Sequence, residues 1–396
     1  MSMEQIGNLR KVNHRELQEY ILKYYNARLS LMTWGTIGIG KSDKIKETAQ
    51  KLAEQFKLPF SDNVVDSKKF SFMDVRLATM DATDIKGIPF PFKVCTKCDN
   101  HLKMDDTKCK CGCDALTVAT VWLLPDWFPR DPKSKGVLLF DEITNATPMV
   151  QHSAYTIIRD RKIGKYLLPE GWMVISAGNR VEDMSNVYEM SKALENRYGH
   201  AELQVPSIKD WTEWAITHNV NKYVIAYLNW QPTKLMMFRP SEQSRTELKE
   251  KAFATPRTWE YASRLIDGVT DVDMIEGLTA TAVGNAIGMD FSAFLQLRTK
   301  LELEEIIKNP ERIKELEGKT DLLWVAITQI SDWYKDHTDK KYVQRICQIA
   351  EHLRGEFAIL LLRYCKREHE KNFVQTIKEI PEWKNNLSQK YAPYVL

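Results

Sequence analysis

The amino-acid sequence predicts an α/β domain followed by a half made of helices. In the first half, short apolar runs alternate with segments of helical periodicity, the pattern of a parallel sheet flanked by helices. Beyond about residue 210, long segments place apolar residues at helical spacing without strand-like alternation. A glycine-rich loop directly follows the first long apolar run. Together these observations predict five parallel strands sandwiched by helices and then an all-α half.

Composition narrows the class of protein. A chain of 396 residues with 43% hydrophobic and 28% charged residues is typical of a globular protein of two to three domains. Lys and Arg number 56 against 53 Asp and Glu, so the basic excess of a nucleic-acid binder is lacking. No run reaches the roughly 18 apolar residues that span a bilayer, and the start has no signal-peptide core. We therefore expect a cytoplasmic protein without a membrane partner.

The five predicted strands occupy the first 205 residues. The segment 42–56 after the first strand places Ile45, Ala49, Leu52, Ala53 and Phe56 on one helical face. A strand, a tight loop and a helix thus follow in order. The predicted strands are residues 29–34, 70–78, 136–140, 172–177 and 201–205. We assign residues 1–205 to one domain with an insertion at about 90–120.

The second half is predicted to be helical throughout. We divide it into a small helical lid domain, 206–300, and a helical C-terminal extension, 301–396. Apolar residues at helical spacing mark three of its helices. The charged stretch 300–319 is typical of a solvated pair of helices joined by ion pairs. The three marked segments are residues 246–253, 273–284 and 322–336.

The glycine-rich loop matches a phosphate-binding pattern. Residues 35–42 read GTIGIGKS, which satisfies G-x-x-x-x-G-K-[ST] between a predicted strand and a predicted helix. Loop N–H groups would surround the β-phosphate, Lys41 would reach the β- and γ-oxygens, and Ser42 would ligate Mg²⁺. ATP and Mg²⁺ are therefore the predicted cofactors. The predicted nucleotide contacts are Gly35, Thr36, Ile37, Gly38, Ile39, Gly40, Lys41, Ser42, Asp43 and Asp141.

Two further strands end in side chains suited to hydrolysis. The apolar run 136–140 is followed by Asp141, which can hold Mg²⁺, and by Glu142, which can polarise an attacking water. The run 172–177 leads to Asn179, which can hydrogen-bond that water or the γ-phosphate. Because the carboxyl ends of parallel strands meet at one sheet edge, these side chains should lie near the loop. The pattern predicts nucleotide hydrolysis.

These ordered motifs resemble the AAA+ ATPases, and among them the MoxR-like branch, over about residues 29–265. GTIGIGKS is similar to Walker A, LLFDE to Walker B, and VISAGNR to the strand that carries sensor 1 at Asn179. Two departures stand out: FDEITNA replaces the usual ADEINRA, and AGNR replaces ATQNP. The functional atoms are kept in both. The resemblance implies a P-loop NTPase fold with a five-stranded sheet and a helical lid.

The resemblance also implies arginine roles and partners. Arg197, in ALENRYGH, matches the finger that reaches the neighbouring subunit's nucleotide, and Arg257, in ATPRTWE, matches sensor 2. Arg159 and Arg161 also lie where such rings present interface arginines, so the finger role could shift to these arginines or be shared with them. A homo-oligomeric ring, usually a hexamer, is implied. Family members do chaperone-like work on a protein client, often with a partner carrying a von Willebrand factor A domain.

Two other functions stay open at this point. An ATPase acting on nucleic acid in a DNA-processing or defence complex is favoured by lysines in and around the insertion and disfavoured by the near-neutral charge. The other is a scaffold that binds nucleotide without hydrolysing it. In that case, replacement of Glu142 would leave phosphate release unchanged. The lysines are Lys93, Lys97, Lys103, Lys108 and Lys110.

Five of the seven cysteines lie between Cys95 and Cys113, at the spacing of metal ligands. Four thiolates suit a structural Zn²⁺, and disulfides are disfavoured in a reducing cytoplasm. We favour Cys95, Cys98, Cys109 and Cys111, because Gly112 suits the turn of a metal-binding knuckle. Cys113 could replace Cys109, and His101 is an outside candidate. The cluster falls where the resemblance places a helix-2 insert, a hairpin that faces the ring axis.

Overall fold

A computed structural model describes residues 9–180, 183, 187–238 and 250–396. The chain divides into two compact units, residues 1–205 and 206–396, and each is considered by itself. Among the described residues no helix is both long enough and apolar enough to cross a membrane.

The first unit is built on a seven-stranded sheet in which every pairing is parallel. Its interior strand Lys135–Asp141 is apolar and buried along almost its whole length, as expected for a sheet covered on both faces. The strands, in their order across the sheet, are β1 (Arg10–Val12), β12 (Gly199–Leu203), β2 (Leu31–Trp34), β11 (Gly171–Gly178), β8 (Lys135–Asp141), β4 (Phe70–Arg76) and β3 (Phe60–Asp62).

All five predicted strands are present, but the predicted total of five is wrong. Strands β1 and β3 add one three-residue strand at each edge of the sheet. Three residues are too few to show a period of two, and both segments lie beside polar residues, so the sequence pattern does not reveal them. The last predicted strand lies two residues earlier, at β12.

Helices connect these strands, and two smaller sheets lie in the connections between strands of the main sheet. Helix α2 (Lys41–Gln55) buries Ile45, Ala49, Leu52 and Ala53 as predicted, whereas Phe56 just beyond it is 40% exposed. The helices are α1 (His14–Ala27), α2 (Lys41–Gln55), α3 (Ala82–Lys86), α4 (Pro148–Asp160) and α5 (Lys192–Glu195). The smaller sheets are an antiparallel ribbon of β5 (Ile88–Cys95), β6 (His101–Leu102) and β7 (Leu116–Leu123), and a hairpin of β9 (Lys162–Ile163) and β10 (Tyr166–Leu167).

The described part of the second unit is helical and has one extended apolar core. Buried residues from Trp211 to Val395 belong to a single cluster, which includes residues on both sides of position 300. The boundary near 300 remains a prediction. The helices are α6 (Ile208–Thr217), α7 (Lys222–Trp230), α8 (Pro256–Leu265), α9 (Val272–Val283), α10 (Asn285–Gln296), α11 (Leu303–Lys308), α12 (Thr320–Lys335), α13 (Lys340–Glu351), α14 (Gly355–Glu368), α15 (Glu370–Ile377) and α16 (Ser388–Val395).

The sequence located most of the marked helices of this unit. Those predicted at 273–284 and 322–336 are confirmed as α9 and α12. Of the helix predicted at 246–253, residues 246–249 lie outside the described residues and 250–253 are not helical. The charged stretch 300–319 forms α11 and a 3₁₀ turn at Pro310–Leu316, linked by Arg312 to Glu302 and Glu305.

A buried ammonium ties three helices of the second unit together. The Lys222 side chain is 5% exposed, and its Nζ lies 2.9 Å from Asp332 Oδ1 and 2.8 Å from Glu368 Oε1. It also donates a hydrogen bond of 3.0 Å to Ser331 Oγ. A buried charge is tolerated only when it is paired and hydrogen-bonded, and removal of one partner leaves the others uncompensated. Lys222 therefore holds α7 to α12 and α14.

We predict that Lys222→Met lowers the free energy of unfolding by about 3 kcal/mol, because Asp332 and Glu368 lose their buried cation and keep only Lys335, whose side chain is 49% exposed. Lys308→Met is the matched control. Its side chain is 63% exposed beside Glu304 and Glu305, so the loss should stay below about 1 kcal/mol. Urea unfolding of the full chain measures both. Equal losses in the two variants would show that the Lys222 network does not stabilise this unit.

Candidate functional site

Three polar segments meet at the carboxyl-terminal edge of the seven-stranded sheet. Strand β2 ends at Trp34 and is followed by the glycine-rich loop, β8 ends at Asp141, and β11 ends at Gly178. Because β2 and β8 both pair with β11 in parallel, these three ends are neighbours. This edge is where open α/β sheets place ligand sites.

The glycine-rich loop bridges β2 and α2 in the way its sequence predicts. Gly38 and Gly40 have φ of 74° and 86°, left-handed values that most side chains disfavour. At Gly35 a Cβ atom would lie 2.8 Å from Ile39 Cδ1 and 3.0 Å from Leu203 O. His14 Nε2 lies 2.8 Å from Ile39 O, so the first residue of α1 supports the loop from outside. The loop is thus a tight turn held at the start of a helix.

Lys41 joins this loop to the end of β11. Its side chain turns back so that Nζ donates hydrogen bonds to Gly35 O at 2.7 Å and Thr36 O at 2.9 Å. Nζ also donates to Asn179 Oδ1 at 2.9 Å. Lys41 is 9% exposed, so its charge is largely withdrawn from water and is stabilised by these oxygens. The two residues predicted from separate motifs therefore touch.

Ser42 and Asp141 form the second link across the edge. Ser42 Oγ donates a hydrogen bond of 2.6 Å to Asp141 Oδ2, and Asp141 Oδ1 accepts one of 2.9 Å from the backbone N–H of Glu142. A hydroxyl and a carboxylate this close are the kind of oxygen ligands that Mg²⁺ takes beside nucleotide phosphates. The donor set fits the predicted ion.

Glu142 differs from its neighbour Asp141 in backbone conformation and in exposure. Its backbone is left-handed, with φ of 54°, which is uncommon for a residue other than glycine. The Glu142 side chain is exposed while Asp141 is half-buried. The turn thus separates two adjacent carboxylates, one directed at Ser42 and one accessible to solvent.

Asn179 is held from both ends. Its side-chain oxygen accepts from Lys41, and its backbone N–H donates a 3.1 Å hydrogen bond to the buried hydroxyl of Thr144. Thr144 lies just after Glu142 in a 3₁₀ turn. The position of Asn179 is therefore coupled to the segment that carries the acidic pair.

Asp74 is a third carboxyl at this edge that the sequence analysis missed. It lies on β4, which pairs with β8, and its Oδ1 is buried without a hydrogen-bond partner in the described part of the chain. Burial and the nearby Asp141 carboxylate raise the pKa of Asp74. An acid in the predicted strand FSFMDVRLA was the available signal. His14 had no such signal, because its contact is long-range.

The predicted arginines lie in different environments. Arg197 is exposed, directly before Tyr198, whose buried hydroxyl lies 2.7 Å from Ser176 Oγ. Arg159 is exposed and pairs with Asp160 at 3.2 Å. Arg161 instead points inward, donating to Pro169 O at 3.0 Å and Trp172 O at 2.7 Å, and burial lowers its pKa.

Arg257 belongs to the second unit, exposed in the first turn of α8.

Of the arginines considered for the finger that reaches a neighbouring subunit, Arg161 already donates its hydrogen bonds to backbone oxygens of its own chain.

Four of the five clustered sulfurs converge on one point of the ribbon. The Sγ atoms of Cys95, Cys98, Cys109 and Cys111 all lie within 4.8 Å of one another, with the shortest separations 3.5 Å to 3.6 Å. Tetrahedral Zn²⁺ with Zn–S bonds of about 2.3 Å places sulfurs about 3.8 Å apart. Cys113 is directed elsewhere, toward Ala115 O at 3.8 Å. The four favoured cysteines fit a zinc ion.

The backbone around the sulfurs is shaped for ligation. Asp99 and Gly112 follow the second cysteine of each pair with φ of 53° and 81°, and their N–H groups bond back to Cys95 O and Cys109 O. The backbone N–H of Lys97 lowers the pKa of Cys95 to about 6. For Cys98 the N–H of Asn100 acts in the same direction, but hydrogen bonds with Cys109 and Cys111 outweigh it and raise the pKa to about 12.

Comparison with known proteins adds little to this geometry. No family model matches the chain, and neither does any curated protein. Similar solved structures include a RuvB mutant from Thermotoga maritima, with 13% identity, 77% of this chain and 78% of that chain covered, and a TM-score of 0.31. The ORC2 protein of Aeropyrum pernix, in ADPNP-ADP complexes, has 12% identity, coverage of 79% and 77%, and a TM-score of 0.33.

A candidate ATPase from Cytophaga hutchinsonii has 14% identity, coverage of 72% and 75%, and a TM-score of 0.33. At TM-scores of this size, the likenesses carry no argument about this chain.

We predict that Cys98→Ser abolishes stoichiometric zinc binding, because it removes one of four converging thiolates. Cys113→Ser is the matched control and should keep one zinc per chain. Elemental analysis of the purified variants measures the zinc content. Zinc loss in the Cys113 variant, or retention in the Cys98 variant, would contradict the ligand set.

Proposed function

We propose that this chain is an ATPase that binds Mg-ATP at the loop 35–42 and hydrolyses it with the carboxylate of Glu142. The observation that carries the proposal is the double link across the sheet edge: Lys41 to Asn179 and Ser42 to Asp141. The glycine-rich loop and the two strand ends were identified from three separate sequence motifs. In the structure each strand end is hydrogen-bonded to the loop motif. A structural role alone gives no reason for a lysine, a serine, an aspartate and an asparagine to be combined in this order.

The proposed binding mode uses the loop as an anion site. Its N–H groups and the amino end of α2 favour phosphate, and Lys41 would exchange its carbonyl partners for β- and γ-phosphate oxygens. Ser42 and Asp141 are the residues that would hold Mg²⁺, which supplies neutralisation of the developing phosphate charge. Asp43, the remaining proposed contact, is exposed in the first turn of α2, directly after the loop.

Hydrolysis is assigned to the residues around Glu142. Its exposed carboxylate is free to orient and polarise a water, while Asn179, fixed by Lys41 and Thr144, would hydrogen-bond that water or the γ-phosphate. A cation from a second copy would stabilise the charge on the transferred phosphoryl. Arg197 is proposed for this role because it is exposed, and Arg159 is the alternative. Arg257 is proposed as the γ-phosphate contact from its own chain.

The wider role rests on the sequence resemblance alone. We propose a MoxR-like AAA+ ATPase that works as a hexameric ring and couples ATP hydrolysis to remodelling a protein client, with a von Willebrand factor A domain protein as the partner class. The cysteine ribbon would be a structural zinc element of this machine. A finger supplied in trans would make hydrolysis depend on assembly.

The lysines of the insertion do not carry the nucleic-acid alternative. Between Lys97 and Asp114, the ribbon tip carries four lysines and four aspartates, so it has no net positive charge with which to attract a phosphate backbone. Lys93 is also engaged, donating a 2.8 Å hydrogen bond to Asp106 O.

Glu142→Gln is expected to reduce ATP turnover by about 10² to 10⁴-fold, because an amide cannot polarise the attacking water. ATP binding should be retained, since the loop, Lys41 and Asp141 are unchanged. Phosphate release and equilibrium ATP binding are measured on the same preparation.

The matched control is Glu54→Gln, an exposed glutamate near the end of α2 that is remote from the loop. It should turn over ATP at the wild-type rate. A Glu142→Gln enzyme with unchanged phosphate release would overturn the hydrolytic assignment and favour a nucleotide-gated scaffold.

A further inference from the structure

Within the described residues, β7 is the long strand at the edge of the ribbon, and no other strand pairs with its outer side. The three strands lie in the order β6, β5, β7, so β7 is at the outside. Its sequence LTVATVWL contains neither a charge nor a proline, and it is rich in β-branched residues. Val118 is 59% exposed and Trp122 is 42% exposed. Unprotected edges of this composition readily pair with another strand.

The pairing register shows which β7 groups face outward. In an antiparallel pair, residues alternate between those bonded to the partner strand and those directed away from it. Cys95 N–H donates to Asn100 O, on the β6 side, whereas Thr96 N–H donates to Ala115 O, on the β7 side. Cys95 is opposite Leu116. The backbone groups of Leu116, and of every second residue after it, therefore point away from β5: Val118, Thr120 and Trp122.

By contrast, the other long strand of the ribbon, β5, is protected against pairing with a further strand. Pro89 and Pro91 on β5 are opposite Trp122 and Thr120, so they occupy the outward-facing positions of β5. Proline has no N–H to offer a new strand, and proline at such positions is a common means of blocking an edge. The tip half of the β5 edge is paired with β6. Of the described ribbon strands, β7 alone thus offers a continuous set of outward N–H and C=O groups.

A groove lies beside the end of β7, where α3 and the start of β5 approach the residues that follow Leu123. It has a volume of about 350 Å³ and lies at the base of the ribbon, where Leu123 ends β7. Its apolar lining includes Met80, Ile88 and Trp127. Its two charged lining residues are both acids, Asp84 and Asp126. The groove therefore suits an apolar side chain accompanied by a basic one.

We propose that the outer edge of β7 and this groove form a docking site for an extended, β-branched segment of a partner protein that carries a lysine or arginine at one end. The segment would add a strand beside β7 through the backbone groups of Val118, Thr120 and Trp122. Its basic end would lie between Asp84 and Asp126. Main-chain pairing supplies affinity in this mode of recognition, and the groove supplies selectivity.

The docking site specifies which kind of segment the client or partner of the proposed ATPase would carry. Its biological role therefore rests on the proposed function. The docking itself requires neither ATP binding nor Glu142. Binding measured without nucleotide therefore tests the docking site separately from hydrolysis.

The test pans a displayed library of random dodecapeptides against the zinc-loaded full chain without nucleotide. We expect enrichment of β-branched, proline-free peptides with a lysine or arginine near one end. Fluorescence anisotropy then measures the affinity of the enriched peptides for each variant. Thr120→Pro removes one outward N–H of β7 and leaves the N–H groups that bond to β5 in place. It should weaken binding at least about tenfold.

Thr120→Val is the matched control, because it keeps the N–H and the β-branched shape and should bind as the wild type does. Asp126→Lys tests the groove without altering β7 and should also weaken binding at least about tenfold. Failure to enrich peptides, or equal binding by the Pro and Val variants, would overturn the proposal. A wild-type dimer that Thr120→Pro dissociates would also overturn it, since a second copy would then cover the edge.

Discussion

The candidate site depends on one buried ammonium group. Lys41 Nζ is bonded to Gly35 O, Thr36 O and Asn179 Oδ1, and these oxygens come from the loop and from the strand end beside it. A charge this far from water is costly unless several oxygens surround it. The requirement fixes the conformation of the loop and the position of Asn179 together. Any ligand that replaced these oxygens would need comparable negative charge, which phosphate has.

The parallel sheet makes this arrangement possible. Strands β2, β8 and β11 are adjacent, so their ends lie side by side although they are far apart in sequence. Ser42 and Asp141, which bond to each other, are separated by 99 positions along the chain. Asp74 brings one more carboxyl from β4 to the same edge, and the raised pKa of Asp74 reflects its burial and this concentration of negative charge. A divalent cation would relieve it.

The sequence predicted the parts of this arrangement that local patterns encode. The loop, the acidic pair and Asn179 were located because each follows an apolar run at a recognisable spacing. The edge strands β1 and β3 were missed because three residues show no periodicity. His14 was missed because its contact with Ile39 is decided by packing between α1 and the loop. For the cysteines, the sequence favoured the four that converge but left Cys113 open as a replacement for Cys109, because similar spacing does not reveal that the Cys113 thiol is directed toward Ala115 O.

The central claim is that the Lys41 cluster is a Mg-ATP site, and calorimetric titration of ATP tests it most directly. The wild-type chain should bind ATP more tightly with Mg²⁺ than without it. Lys41→Ala should lose at least about tenfold in affinity under both conditions, since a charge-assisted contact contributes about 1.5 to 3 kcal/mol. ATP binding that is independent of Mg²⁺ and unchanged by Lys41→Ala would contradict the account.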